Sequence, residues 1–130
     1  TGFSGGVLAP DGNVIFVPST GTSVGVYNPT TSGYSTVAAV SGFQGGCLSP
    51  TGNVVFAPHA SANIGLFDPA ALTYSNVSQA ASGSTKFSGA TQLPDGRVVL
   101  CPASSTNVGV LNTLVPVGPE FCLAPYFNKY

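Results

Sequence analysis

A chain of 130 residues is long enough to bury a core without disulfides or metals, and only 5% of its residues are charged, for a net charge of -1. Lys86, Arg97 and Lys129 against Asp11, Asp68, Asp95 and Glu120 provide no field to gather phosphates or anionic lipid, which excludes nucleic acid as a partner. No run approaches the ~20 apolar residues of a helical membrane span, so none is expected.

In chain order, the first stretch, "GGVLAPDGNVIFVP" from Gly5 to Pro18, returns as "GGCLSPTGNVVFAP" from Gly45 and as "GATQLPDGRVVLCP" from Gly89. Phe3, Phe43 and Phe87 open the three copies, and Gly25, Gly65 and Gly109 recur later in each. Short runs rich in Val, Ile, Phe and Tyr, punctuated by Gly, Pro and Asn, predict strands joined by turns and leave almost no room for helix. The first copy predicts strands over 6–9, 13–17, 23–27 and 34–38. "PDGN", Pro10 to Asn13, reads as the hairpin turn between the first two, with Gly supplying positive φ. Each unit is thus predicted to be a four-stranded antiparallel meander. The repeats run over about 2–41, 42–85 and 86–113, the last diverging before a recognisable fourth strand. A C-terminal aromatic tail occupies 114–130.

The second strand of each unit is apolar at consecutive positions, as in Val14-Ile15-Phe16-Val17 and Val54-Val55-Phe56-Ala57. Both of its faces must therefore be covered, as in sheets stacked face against face. The line "LAPDGNVIFVPSTGTSVGVYNPTTSGYSTV", Leu8 to Val37, resembles β-propeller repeats of the YVTN type found in surface-layer and extracellular proteins, and more distantly kelch and NHL blades. Asn28, Asp68 and Asn112 hold the position that those repeats give to an Asp or Asn before a Thr-rich turn. Pro18, Pro58 and Pro102 depart from the YVTN pattern, and no Trp supplies a kelch or WD signature. The tail is similar to the endings of propeller-like virion proteins of phages and large DNA viruses. The resemblance implies an all-β fold of three four-stranded antiparallel propeller blades. A β-trefoil or β-prism is the alternative, since each closes with three units.

Propellers close with roughly 4 to 8 blades, so three leave two open ends. Four strands ~4.8 Å apart, each about five residues of ~3.3 Å, make a blade face of about 300 Å². Two bare apolar faces would forgo roughly 15 kcal/mol at ~25 cal/mol/Å², a quantity that rivals the stability of a whole domain. Further blades of a longer chain, other copies of this chain, or the tail must cover them. The chain begins at Thr1 inside a repeat, and the expectation is a processed product or a piece of a longer protein.

Catalytic chemistry finds few groups to work with. His59, the single histidine, is read as a loop residue, and no zinc ligand set can be assembled around it. Asp11 and Asp95 alternate with Thr51, as a turn role permits. Cys47 aligns with Val7, and Cys101 with Val17 and Ala57, so both are expected to be buried, inert thiols. No cofactor is implied, and the sequence predicts a protein that is not an enzyme. Two interaction sites are expected. Phe121, Leu123, Tyr126, Phe127 and Tyr130 of the tail would cap the last blade or contact another subunit. Loops carrying Ser23, His59, Asn63 and Asn107 would face a cell-surface glycan. The predicted function is a non-enzymatic structural or adhesive module of a virion or extracellular assembly, with a carbohydrate-binding lectin as the alternative. A neutral surface kept soluble by Ser, Thr and Asn suits such a setting, where lateral contacts are wanted.

Overall fold

The computed structural model describes residues 2–78 and 86–112, and the tail with its five predicted contact residues lies outside them. Among the described residues, eleven strands form three separate antiparallel sheets. The first contains β1 (Phe3–Leu8), β2 (Val14–Pro18), β3 (Ser23–Asn28) and β4 (Gly33–Ala38). The second contains β5 (Phe43–Leu48), β6 (Val54–Pro58), β7 (Asn63–Asp68) and β8 (Thr73–Ser78). The third contains β9 (Phe87–Gln92), β10 (Arg97–Pro102) and β11 (Gly109–Asn112). Every strand pairs with its neighbours in sequence, so each sheet is a meander. The first two have four strands as expected, and the third has three among the described residues.

The hairpin between the first two strands forms as the sequence predicts. Gly12 takes a φ of 91°, open to glycine at no steric cost. Asp11 Oδ1 accepts the Asn13 N–H at 3.0 Å, and Asp95 Oδ1 accepts that of Arg97 at 3.1 Å. The first strand starts earlier than predicted, at Phe3 instead of Gly6. Its glycines lie inside the strand, because the register to β2 slips between Phe3 and Gly6. The same irregularity recurs between Phe43 and Gly46. A bulge of this kind bends the strand without ending it.

The sheets converge at their first strands. β1 lies against β5 and β5 against β9, whereas the outer strands β4 and β8 barely touch. Ser4 ties the first pair, its Oγ donating to the Phe43 carbonyl at 3.2 Å and accepting the Gly45 N–H at 3.4 Å. At Gly45 a Cβ would sit 3.1 Å from the Gly89 Cα, and its φ is 79°. The inner strands can approach this closely only because the repeat places glycine there.

Two cores fill the gaps between the sheets. In the first, Val7, Ile15, Val17, Val24 and Val26 from the back of sheet 1 meet Phe43, Val54, Phe56 and Phe67 from the front of sheet 2. In the second, Val55, Ala57 and Ile64 from the back of sheet 2 meet Phe87, Val98 and Leu100 from the front of sheet 3. The demand that both faces of the second strand be covered is met in full at β6, where every residue is buried. β2 is only partly buried at Val14 and Phe16, and β10 is exposed at Cys101. The difference is positional: among the described residues, sheet 2 has a neighbour on each side, and sheets 1 and 3 have one each.

Candidate functional site

Four surfaces can meet a partner: the loop rim, the opposite rim of turns, and the two end faces. The loop rim is organised by one carbonyl per unit. The Gly42 carbonyl accepts the N–H groups of His59, Ala60 and Ser61 at 2.8 to 3.0 Å, and the Gly2 and Lys86 carbonyls gather the equivalent loops. Neighbouring units are joined in the same place. The Gly42 N–H donates to the Ser19 carbonyl at 2.7 Å, and the Lys86 N–H to the His59 carbonyl at 2.9 Å. His59 therefore links sheets 2 and 3 through its backbone.

The predicted glycan-facing residues lie on this rim, in different units. Ser23 begins β3 and Asn63 begins β7, while His59 and Asn107 lie in the loops of the second and third units. Much of their polar capacity is used in shaping the loops. Ser61 Oγ donates to the Asn63 carbonyl and accepts its N–H, and Ser105 does the same for Asn107. Asn63 Nδ2 donates to Asn76 Oδ1 at 3.3 Å.

On the opposite rim, a cleft of about 390 Å³ opens between the turns of the first two sheets, lined by Pro10, Asp11, Thr51, Asn53, Asp68 and Pro69 among others. Sequence reasoning assigned its two carboxylates to turns and did not bring them together, because only the stacking of sheet 1 on sheet 2 does so. Both turn roles hold. Asp11 Oδ2 accepts from Asn13 Nδ2 at 3.2 Å, and Asp68 Oδ1 accepts the Ala70 N–H at 3.0 Å. Among the described residues, no group of three or more His, Cys, Asp or Glu side chains is placed to hold a metal. Asp95 stands apart, held below the usual carboxylate range by its bonds to Arg97, whose guanidinium lies 2.7 Å away.

The end faces carry exposed apolar side chains. Phe3 and Phe16 pack with their rings tilted by 43° and centroids 5.6 Å apart on the front of sheet 1, and the Tyr34 ring lies 6.3 Å from Phe16. The matching pair in sheet 2, Phe43 and Phe56, has nearly the same geometry at 5.5 Å, but there both rings are buried. On the back of sheet 3, Val108 and Val110 are 58% and 56% exposed. Cys101 is exposed with them, contrary to the expected burial. Its repeat position is apolar because it belongs to a junction face, and among the described residues no sheet lies against that face in the third unit. Cys47, at the covered junction, is only partly buried, and that burial pushes its thiol up to about 11.

No family model and no curated protein sequence matches the chain. Solved structures do. Three sheets fanned from their inner strands match virginiamycin B lyase from Staphylococcus aureus in its selenomethionine-substituted form, with a TM-score of 0.69 at 10% identity, over 88% of this chain and 42% of that one. A catalytically inactive form of the same lyase with quinupristin matches with a TM-score of 0.66 at 10% identity, over 85% and 41%. A streptogramin B lyase matches with a TM-score of 0.66 at 19% identity, over 82% and 35%.

The fold is that of a β-propeller. Each sheet is a blade, and the sequential meanders replace the trefoil and prism alternatives. The chain spans less than half the length of the lyases it matches.

The comparison also corrects one expectation. The sequence predicted that the protein is not an enzyme, for want of titratable groups, yet the propellers it superposes on are enzymes. A scarcity of such groups in three blades does not exclude catalysis, because the site of a propeller can draw its groups from a whole ring. At these identities the likeness shows the fold alone.

Proposed function

We propose that the chain is an assembly segment of a β-propeller, whose end faces build a larger ring wall in a particle or extracellular layer. One observation carries this reading. The first phenylalanine of the repeat is 1% exposed in blade 2 and 3% in blade 3, where a blade covers it, but 38% exposed in blade 1. The same residue type at the same position supports the view that blade 1 is built to receive a neighbour. A blade face of about 300 Å² is of the size of the largest, often functional, apolar patch on an ordinary monomer. The near absence of charge supports an assembled setting, since nothing opposes lateral contact.

Sedimentation velocity of the 130-residue chain over a range of concentrations tests the reading. Association beyond the monomer mass, abolished by Phe3→Glu, is the expected result. A monomer at every concentration, unchanged by Phe3→Glu, would overturn it.

A further inference from the structure

We infer that the cleft between the turns of blades 1 and 2 binds a guanidinium group, presented by an arginine side chain or by a small guanidinium compound. It lies at an internal junction, apart from both end faces. Blade 1 supplies Pro10 and Asp11 to its wall, and blade 2 supplies Thr51 and Asn53 from one turn and Asp68 and Pro69 from the other. Its volume of about 390 Å³ lies at the lower end of the ~300–1,000 Å³ usual for ligand pockets, a size that suits one side chain or a small molecule.

The next junction carries a guanidinium of the chain's own at the equivalent positions. Asp95 and Arg97 of blade 3 replace Thr51 and Asn53 of blade 2 in the repeat, and Asn112 replaces Asp68. There Arg97 Nε and Nη2 both reach Asp95 Oδ2, at 2.8 and 2.7 Å. One carboxylate against one guanidinium leaves those turn positions neutral. Between blades 1 and 2 the same positions carry two carboxylates, Asp11 and Asp68, and no Lys or Arg lines the cleft. The repeat therefore balances its charge with a guanidinium at one junction and leaves the other to an incoming cation.

The cleft retains acceptors for such a group. Asp68 Oδ1 holds its own turn, accepting the N–H groups of Ala70 and Ala71 at 3.0 and 3.3 Å, and no described group bonds its Oδ2. Asn13 bonds both oxygens of Asp11, each of which keeps a second lone pair. Thr51 is held in place by the buried Ser49, their hydroxyl oxygens 2.9 Å apart. A guanidinium suits this set better than an ammonium, because its planar fork spreads N–H donors over several acceptors and it is more weakly hydrated. Pro10 and Pro69 offer apolar surface to an aliphatic stem. A metal ion fits less well: among the described residues no three His, Cys, Asp or Glu side chains come together, too few for a protein-built zinc or calcium site.

Nuclear magnetic resonance titration of the 130-residue chain with N-acetyl-arginine amide, whose guanidinium is its sole charge, tests the site. Saturable shifts are expected at Asp11, Thr51, Asn53 and Ala70. Asp68→Asn should weaken binding by roughly tenfold or more, as the loss of a charge-assisted bond does. That variant keeps its turn, because Asn28 makes the same bonds in blade 1, its Oδ1 accepting the N–H groups of Thr30 and Thr31 at 2.9 and 3.3 Å. Asn53→Arg, which places the arginine of blade 3 at the matching position of blade 2, should compete with the added ligand and weaken it to a similar degree. Circular dichroism confirms that both variants are folded. A pentapeptide with blocked ends and a single central arginine distinguishes the two sources. Tighter binding than the amide supports a polypeptide arginine, and equal binding supports a small guanidinium compound. N-acetyl-lysine amide binding as tightly as the arginine amide would show a merely negative surface and overturn the inference, and so would tighter saturation of the same resonances by calcium. Absence of shifts at these turns, or shifts unchanged in both variants, overturns it as well. None of these results depends on what covers the end faces, so the assembly reading stands or falls separately.

Discussion

At the residue scale, two side chains show how the repeat tolerates local cost. Ser32 and Leu72 occupy equivalent turns with φ near 58°, and Leu72 is 46% exposed. A left-handed backbone costs a residue with a Cβ roughly 1–2 kcal/mol, and an exposed leucine has little packing to offset it. Leu72→Gly is therefore expected to raise stability by about 1 kcal/mol in urea denaturation. Cys47 carries a pH effect of definite sign. Its folded value, about 11, lies above the ~8.5 of a free thiol, so the unfolded chain releases this proton first as pH rises. Its contribution is fully present below about pH 8.5 and is lost as pH climbs towards 11. Unfolding free energy should decline across that window, and Cys47→Ala should remove that part of the slope.

At the scale of the element, the second strand of each blade is a similar apolar run in three environments. Phe56 in β6 is fully buried, and Phe56→Ala is expected to cost about 3–5 kcal/mol, as for other buried aromatics. Phe16 occupies the same position in β2 but is only partly buried. Phe16→Ala should cost less than half as much in dilute solution, with denaturant melts of both variants as the check. The doubly apolar pattern of this strand made stacked sheets legible in the sequence, and the Pro-Gly hairpins made the meander legible. The start of β1 was not, because a bulge hides glycines inside a strand where sequence rules place them at its edge. Cys101 was misplaced for a related reason. Repeat position states which face a residue belongs to, not whether that face is covered.

At the scale of the whole molecule, burial is greatest in the middle. Blade 2 is covered on both sides and its neighbours on one, so its local opening should be the most costly. Hydrogen exchange in dilute solution is expected to leave β5, β6 and β7 the most protected strands, with the margin narrowing as concentration rises if the end faces become covered. Function also belongs to this scale. The cleft with Asp11 and Asp68 exists only because two turns from different blades stack. The lyase propellers share the fold without sharing the sequence.

By itself the sequence determined the unit: a meander of short strands, turned by Asp or Thr and Gly, with glycine on the inner strand and an apolar second strand. Those are local and periodic properties, set by φ preferences and by alternation along each strand. Only the tertiary structure decided which copy of each residue is buried. Burial depends on what lies across the junction, and an identical phenylalanine is core in blade 2 and surface in blade 1.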